Sequence, residues 1–313
     1  MIELFSKLQN VYKAGIVIAS VLIFSTILIS ILKVTKPQGK WDEISARITS
    51  WWIMASFFFG AIIFNQKISL IFFAFLSFWS LKEYFTILDT RREDHMAIFW
   101  AFIAIPIQYY WVLTSWYGMF IIFIPVYMFL FFPLRLVLAK EPKGFLLSTS
   151  RIHWGIMAFV FCISHMGYLL VLPEIPGKGL GGQSLLLFLV ILTEMNDVFQ
   201  FIWGKSFGKS KITPKISPNK TWAGFLGGVI TTSIVSVLLM FLTPFTVMQT
   251  MSIALVIGIA GFFGDVVMSA LKRDVGIKDF GNIIPGHGGI IDRVDSLCYT
   301  APLFFHIVYY LYY

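Results

Sequence analysis

Residues 250–271 read TMSIALVIGIAGFFGDVVMSAL, and Asp265 is the one charged residue among them. A helix that crosses the hydrocarbon core of a bilayer needs about 20 mainly apolar residues, so this stretch is long enough to span with its acid inside. A carboxylate at such depth is costly and usually faces a partner or a cavity. The stretch therefore decides the class of fold and gives the first place to look for chemistry.

Composition extends that reading to the whole chain. Of 313 residues, 58% are hydrophobic and 13% are charged, the latter about half of what soluble domains carry. A mean hydropathy of +0.82, with 33 Phe, 12 Tyr and 10 Trp, is more apolar surface than a soluble core of this size can hide. The solvent for most of it must be lipid. Nine further stretches come near spanning length, at 14–32, 48–64, 68–86, 96–114, 117–138, 152–173, 184–203, 222–243 and 296–313. The expected fold class is all-α: a polytopic integral membrane protein with about ten transmembrane helices. The first stretch has the look of a signal peptide. It is long, lacks a small-residue cleavage site and is followed by more spans, so it is read as a retained helix. The amphipathic run at 41–52 suits a segment lying on the membrane surface before the second span.

The net charge of +8 must sit in short loops. All but Lys7, Lys13, Lys67 and Lys178 of the 24 basic residues fall in alternate connections, at 33–47, 82–92, 135–151, 205–220 and 272–293. The positive-inside rule then places these loops on the cytoplasmic face and both termini outside. Clustered cations of this kind attract anionic headgroups, phosphates or nucleotides. No basic helix or aromatic–basic stripe stands outside the membrane, so no nucleic-acid partner is expected. Cys162 and Cys298 lie far apart in apolar segments, which leaves no CxxC metal site or disulfide framework; both suit helix packing.

Polar residues are uneven. Residues 1–150 read as an N-terminal transmembrane scaffold, and residues 151–313 as a C-terminal transmembrane catalytic region. Nearly all the intramembrane acids, glycine clusters and Lys-rich loops lie between 184 and 295. The seventh stretch ends Thr193-Glu194-Met195-Asn196-Asp197. Its acids either face a cavity or sit at the interface and neutralise lysines. Next, Ser217 before Pro218 reads as the N-cap and first residue of the eighth span. Lys220 and Thr221 would then stand at a helix N-terminus, where free N–H groups and a cation make an anion site. Gly224, Gly227 and Gly228 suit close helix packing. Gly224 and Gly228 also leave room for a tight pair between chains, a homodimer.

In the opening stretch, Asp265, Ser269 and Lys272 are at i, i+4 and i+7 and so share one stripe. The plainer reading is a structural ion pair between Asp265 and Lys272 or a neighbour. The loop beyond it runs Lys278-Asp279-Phe280-Gly281 to Gly288-Gly289-Ile290-Ile291-Asp292-Arg293-Val294-Asp295. Its glycines allow backbone N–H groups to approach phosphate oxygens without Cβ interference. Carboxylates from two helices, Asp265 and Asp292, are what a hard cation such as Mg²⁺ needs to bridge to substrate phosphates. A lone His287 would ordinarily be a hydrogen-bonded loop residue.

From Ser269 to Asp295 the pattern S-x-L-K-R-x4-K-D-x-G-x2-I-P-x-H-G-G-I-x-D-R-V-D resembles the signature of the phosphatidate cytidylyltransferases, the CDP-diacylglycerol synthases. Asn196-Asp197 and Ser217-Pro218-Asn219-Lys220-Thr221-Trp222 are similar to that family as well. The motifs cover residues 194–295, while the first 150 match only in being hydrophobic. One position departs: Ala223-Gly224 stands where the family usually has Glu-Gly.

The resemblance implies an integral membrane enzyme of a bacterial cell membrane or of the endoplasmic reticulum. It would join CTP and phosphatidate into CDP-diacylglycerol, releasing pyrophosphate. Asp265 and Asp292 would be Mg²⁺ ligands. Lys220, Lys272 and Arg273 would neutralise phosphates, and Asp197 would support a lysine or a second cation such as K⁺. Ser217, Thr221, Lys278, His287, Gly288, Gly289 and Arg293 would contact substrate. Three other readings compete: a CTP-using membrane enzyme with another lipid acceptor, a transporter, and an inactive paralogue.

Overall fold

The computed structural model describes residues 2–35, 41–63, 65–175, 180–281 and 288–313. The chain is almost wholly helical. In order come α1 (Ile2–Thr35), α2 (Trp41–Ile63), α3 (Gln66–Ile87) and α4 (His95–Leu113). A broken span follows, with α5 (Tyr117–Ile122) and α6 (Phe129–Val137) joined by a wide i→i+5 turn over Phe123–Met128. Pro125 lies in that turn, where its missing N–H removes one ordinary helical bond. A second such turn, Met157–Phe161, joins α7 (Phe145–Ile156) to α8 (Cys162–Val171). Then come α9 (Gly182–Phe207), α10 (Trp222–Val235), α11 (Val247–Asp274), the short α12 (Ile291–Val294) and α13 (Leu297–Tyr312).

Among the described residues, eight helical segments are long and apolar enough to cross a membrane. The other two expected spans coincide with shorter pieces, the apolar part of α2 at Ile48–Ile63 and the 16-residue α13. Apolar side chains of the spans face outward: Phe24, Phe57, Leu130, Ile234 and Leu238 are each more than half exposed, as lipid contact requires. The interior is aromatic, with Phe73, Phe120, Phe132, Phe159, Phe188, Phe304 and Phe305 fully buried.

Long-range hydrogen bonds sort the loops to two ends. The guanidinium of Arg91 donates to the Lys143 carbonyl, and Arg151 Nη1 to Asp89 O at 2.7 Å. Arg273 Nε reaches Ile216 O at 3.2 Å. Ile290, beyond α11, donates to Glu83 near the end of α3 at 3.0 Å, so the loops after α3, α6, α9 and α11 share one end. At the other end, Gln66 Nε2 donates to Leu170 O at 3.1 Å and Gln183 Nε2 to Ile62 O at 2.8 Å. Four of the five basic connections, those after α3, α6, α9 and α11, accordingly gather at a single end of the bundle.

One expectation fails here. Ser217 and Pro218 do not start the eighth span. Lys211–Thr213 and Ser217–Thr221 form a two-stranded antiparallel hairpin, β1 and β2. The helix begins at Trp222 instead, because Thr221 Oγ1 accepts the Gly224 N–H at 3.1 Å and serves as N-cap. Backbone N–H groups spent on a strand ladder cannot open a helix.

α10 lies closely against α9, and its glycines make that approach feasible. A Cβ at Gly228 would stand 2.9 Å from Gln200 N, and one at Gly227 would stand 2.5 Å from Trp203 Cγ. Gly224 and Gly228 are therefore spent within the chain. Gly228→Leu should force the helices apart and cost about 1–3 kcal/mol, the usual range for overpacking. Thermal unfolding in detergent, followed by size-exclusion chromatography, reads that loss.

Candidate active site

The stripe on α11 carries its three polar groups as expected, but their partners are not one another alone. Ser269 Oγ donates to Asp265 Oδ1 at 3.3 Å. Asp265 Oδ2 pairs with Lys220 Nζ at 2.5 Å, and Lys272 Nζ pairs with Asp292 Oδ1 at 2.8 Å. The plain Asp265–Lys272 bridge is thus replaced by two bridges that tie α11 to β2 and to α12. Seven residues of helix separate their anchors, about 10 Å of rise. The first pair is more open, with side-chain exposures of 19% and 23% against 12% and 6%.

Around Lys220 the acids outnumber the lysine. Asp265, Asp197 and Asp295 all act on its charge, and Gln200 Oε1 accepts from Nζ at 3.3 Å. Burial would lower the Lys220 ammonium, but the carboxylates outweigh it and hold the group above its ordinary value. Asp295 is pushed well above the usual carboxylate range by burial, with the Asp265 and Asp197 charges adding to the effect. Asp197 Oδ2 accepts from Ser296 Oγ at 3.2 Å, while its Oδ1 is buried and has no hydrogen-bond partner. Arg293 acts electrostatically on Glu194 and Asp197, and its Nε is likewise buried and unbonded. Asn196 is fully buried and donates to Gly258 O at 3.1 Å, fixing α9 to α11 beneath this cluster.

The glycine turn is gripped by two carboxylates. Asp292 Oδ2 accepts from Phe280 N and Gly289 N, each at 3.0 Å. Glu83, on α3, accepts from Ile290 N at 3.0 Å and Ile291 N at 2.9 Å. Gly288 and Gly289, expected to lend N–H groups to a phosphate, lie against these acids. At φ +79°, a Cβ on Gly288 would also stand 2.6 Å from Asp292 Oδ2, so both conformation and space demand glycine.

The remaining expected residues fall in several places. Thr221 is 2% exposed and spends its hydroxyl on the helix cap. Ser217 is half-buried in β2 and pairs with Thr213. Arg273 is exposed and donates to the carbonyls of Ile216 and Ile277, so it ties two loops together. Lys278 is exposed. His287 lies outside the described residues, with the rest of 282–287.

No three His, Cys, Asp or Glu side chains among the described residues stand ready to share one cation. The donor set still suits a hard one. Asp265 pairs with Lys220, which also feels the charges of Asp197 and Asp295, the Asp197 Oδ1 is orphaned, and Mg²⁺ takes only one or two carboxylates where phosphates and water supply the rest.

The chain can be set beside known proteins. It is 42% identical over 292 residues to the uncharacterized protein YnbB of Escherichia coli (strain K12), covering 93% of this chain and 96% of that protein. It is 36% identical over 160 residues to a phosphatidate cytidylyltransferase of Staphylococcus saprophyticus. It is 34% identical over 157 residues to one of Staphylococcus haemolyticus. Both staphylococcal matches take in 49% of this chain and 60% of the relative. The model of the cytidylyltransferase family matches residues 45–311, from within α2 almost to the end of α13, so the chain belongs to the cytidylyltransferase family.

Proposed function

We propose that the protein transfers the cytidylyl group of CTP to phosphatidate, forming CDP-diacylglycerol and pyrophosphate. A phosphate oxygen of phosphatidate attacks the α-phosphorus of CTP as the bond to the β-phosphate breaks, and pyrophosphate leaves. The observation that carries this reading is the pair of Lys–Asp bridges, Lys220–Asp265 and Lys272–Asp292, hung on one helix stripe at the basic end of the bundle. Transfer between phosphates depends on positioning and charge neutralisation more than on covalent help. Two lysines, one on β2 and one on α11, each paired with an acid of the same helix stripe or its neighbouring turn, supply cations for the phosphates of two substrates.

A phosphate monoester is largely ionised near neutral pH, so no strong general base is required. Asp265 and Asp292, with Asp197 behind them, would hold a Mg²⁺ ion that neutralises phosphate charge, and a second cation such as K⁺ fits the crowded acids. Lipid access is supported at the same place. Trp222, two residues after Lys220, is 49% exposed, and the Asp265 side chain keeps 23% of its own surface open. An acceptor can therefore bring its headgroup to the site while its chains stay in the bilayer. The cytoplasmic face, where CTP is available, follows from the basic loops.

The test uses purified protein in mixed micelles with CTP, Mg²⁺ and a panel of acceptors: phosphatidate, an isoprenyl phosphate, diacylglycerol and a long-chain alcohol. Pyrophosphate release with phosphatidate, abolished by chelator, supports the reading. Release with another lipid phosphate alone would assign a different acceptor, since the two staphylococcal phosphatidate cytidylyltransferases match only half of the chain. Flux of a labelled solute into sealed vesicles, with no nucleotide consumed, would instead indicate a transporter.

Ala223 bears on turnover. It is half-buried in the first turn of α10, beside Thr221 and Trp222. Ala223→Glu adds a carboxylate at a helix N-terminus, which is electrostatically favourable. Turnover at or above the parent level is expected in the same assay. A collapse would mean that the site is built around the small residue.

A further inference from the structure

We propose that Glu83 is a positioning residue for the transferase site: its carboxylate holds the turn at 288–291 so that Asp292 meets Lys272. The proposal rests on the cytidylyl-transfer reading of that site. Glu83 belongs to α3, more than 200 residues before the turn it holds. It is 7% exposed, yet no basic side chain pairs with it among the described residues. Its charge is met by two consecutive backbone N–H groups, Ile290 to Oε1 at 3.0 Å and Ile291 to Oε2 at 2.9 Å. A buried carboxylate held by these two N–H groups is costly unless both oxygens stay satisfied.

The turn is bracketed. Glu83 grips it at Ile290 and Ile291, and Asp292 grips it at Gly289 and also takes the N–H of Phe280. The backbone between them is pressed close: a Cβ on Gly289 would stand 2.7 Å from Glu83 Oε2, and one on Gly281 would stand 3.1 Å from Oε1. Phe280 is buried, and the Lys272 ammonium lies 5.3 Å from its ring centroid. A shift of the turn must therefore carry Asp292 and Phe280 together relative to Lys272. Small displacements at a phosphate-transfer site are expensive, because rate depends on alignment. α3 thus sets the geometry of groups on α11 and α12 without touching substrate.

Glutamine is the informative replacement. It keeps the shape and one acceptor oxygen but loses the second acceptor and the charge. Full-length Glu83→Gln and Glu83→Ala proteins would be compared in mixed micelles for kcat and for KM toward CTP. Hydrogen exchange at 288–296 and thermal unfolding would be followed alongside. For Glu83→Ala we expect kcat lowered on the order of 10²-fold with KM within about threefold, since alignment and not binding is lost. For Glu83→Gln the loss should be about tenfold, one acceptor being retained. Exchange should quicken at 288–296 in both, with unfolding midpoints near the parent's.

Parental kcat in Glu83→Ala overturns the proposal, as does unchanged exchange at 288–296 whichever way activity falls. Destabilisation of both variants in step with their activity loss also overturns it, leaving Glu83 as a folding residue. A parent protein inactive with CTP and every lipid phosphate would refute the transferase reading instead. The exchange result would still decide whether Glu83 holds the turn.

Discussion

Asp292→Asn should lose at least about a thousandfold of CTP-dependent pyrophosphate release, the scale seen when preorganised charge is removed from a transfer site. One oxygen of this carboxylate holds Lys272 at 2.8 Å, and the other accepts two backbone N–H groups at 3.0 Å. An amide has a single acceptor oxygen. Whichever way it turns, its NH₂ group faces either the ammonium or the turn. Lys272 is 12% exposed and would lose its paired carboxylate, a change that costs about 3–5 kcal/mol in buried pairs. The variant should therefore unfold at a lower temperature in detergent as well as lose turnover. Full activity in this protein would remove Asp292 from the proposed chemistry.

Lys220→Met should be as damaging for the opposite reason. The lysine pairs with Asp265 and also feels the charges of Asp197 and Asp295, and methionine keeps the length of the side chain without the charge. The acids then lose their paired cation, and a phosphate reaching the site meets Asp265 uncompensated. A loss of about a thousandfold in turnover is expected. Added Mg²⁺ should stabilise this variant more than it stabilises the parent, because the cation now relieves repulsion that Lys220 otherwise relieves. Thermal unfolding with and without Mg²⁺ reads that difference directly. Equal stabilisation of both proteins would mean that the acids around Lys220 do not form a cation site.

The membrane architecture is legible in the sequence because lipid imposes simple rules on length and polarity. The alternation of basic loops is equally legible, and Arg91, Arg151 and Arg273 show it physically by bonding to neighbouring loops at one end. The site's residues in α11 and α12 are visible as a string. Their pairing is not, since Lys220 and Asp265 meet only through the fold. Local rules also mislead at Ser217 and Pro218, an apt helix start by type. The hairpin claims that backbone, and Thr221, one residue from Trp222, takes the cap. Glu83 is the larger omission. It sits beside Lys82 near the end of a span, where an acid looks like interface trim. The available signal is that an ionisable group inside a hydrophobic stretch usually has a buried partner. That partner is backbone, which no side-chain pattern announces.

The central claim is that a cytidylyl group moves from CTP to a lipid phosphate at this site, and isotope placement tests it most directly. Purified protein in phosphatidate micelles would receive CTP labelled either at the α- or at the γ-phosphate. The proposed reaction puts the α label into the lipid phase and the γ label into pyrophosphate, one for one. If the nucleotide is consumed while the α label stays in the aqueous phase, or if neither label moves, the claim is contradicted.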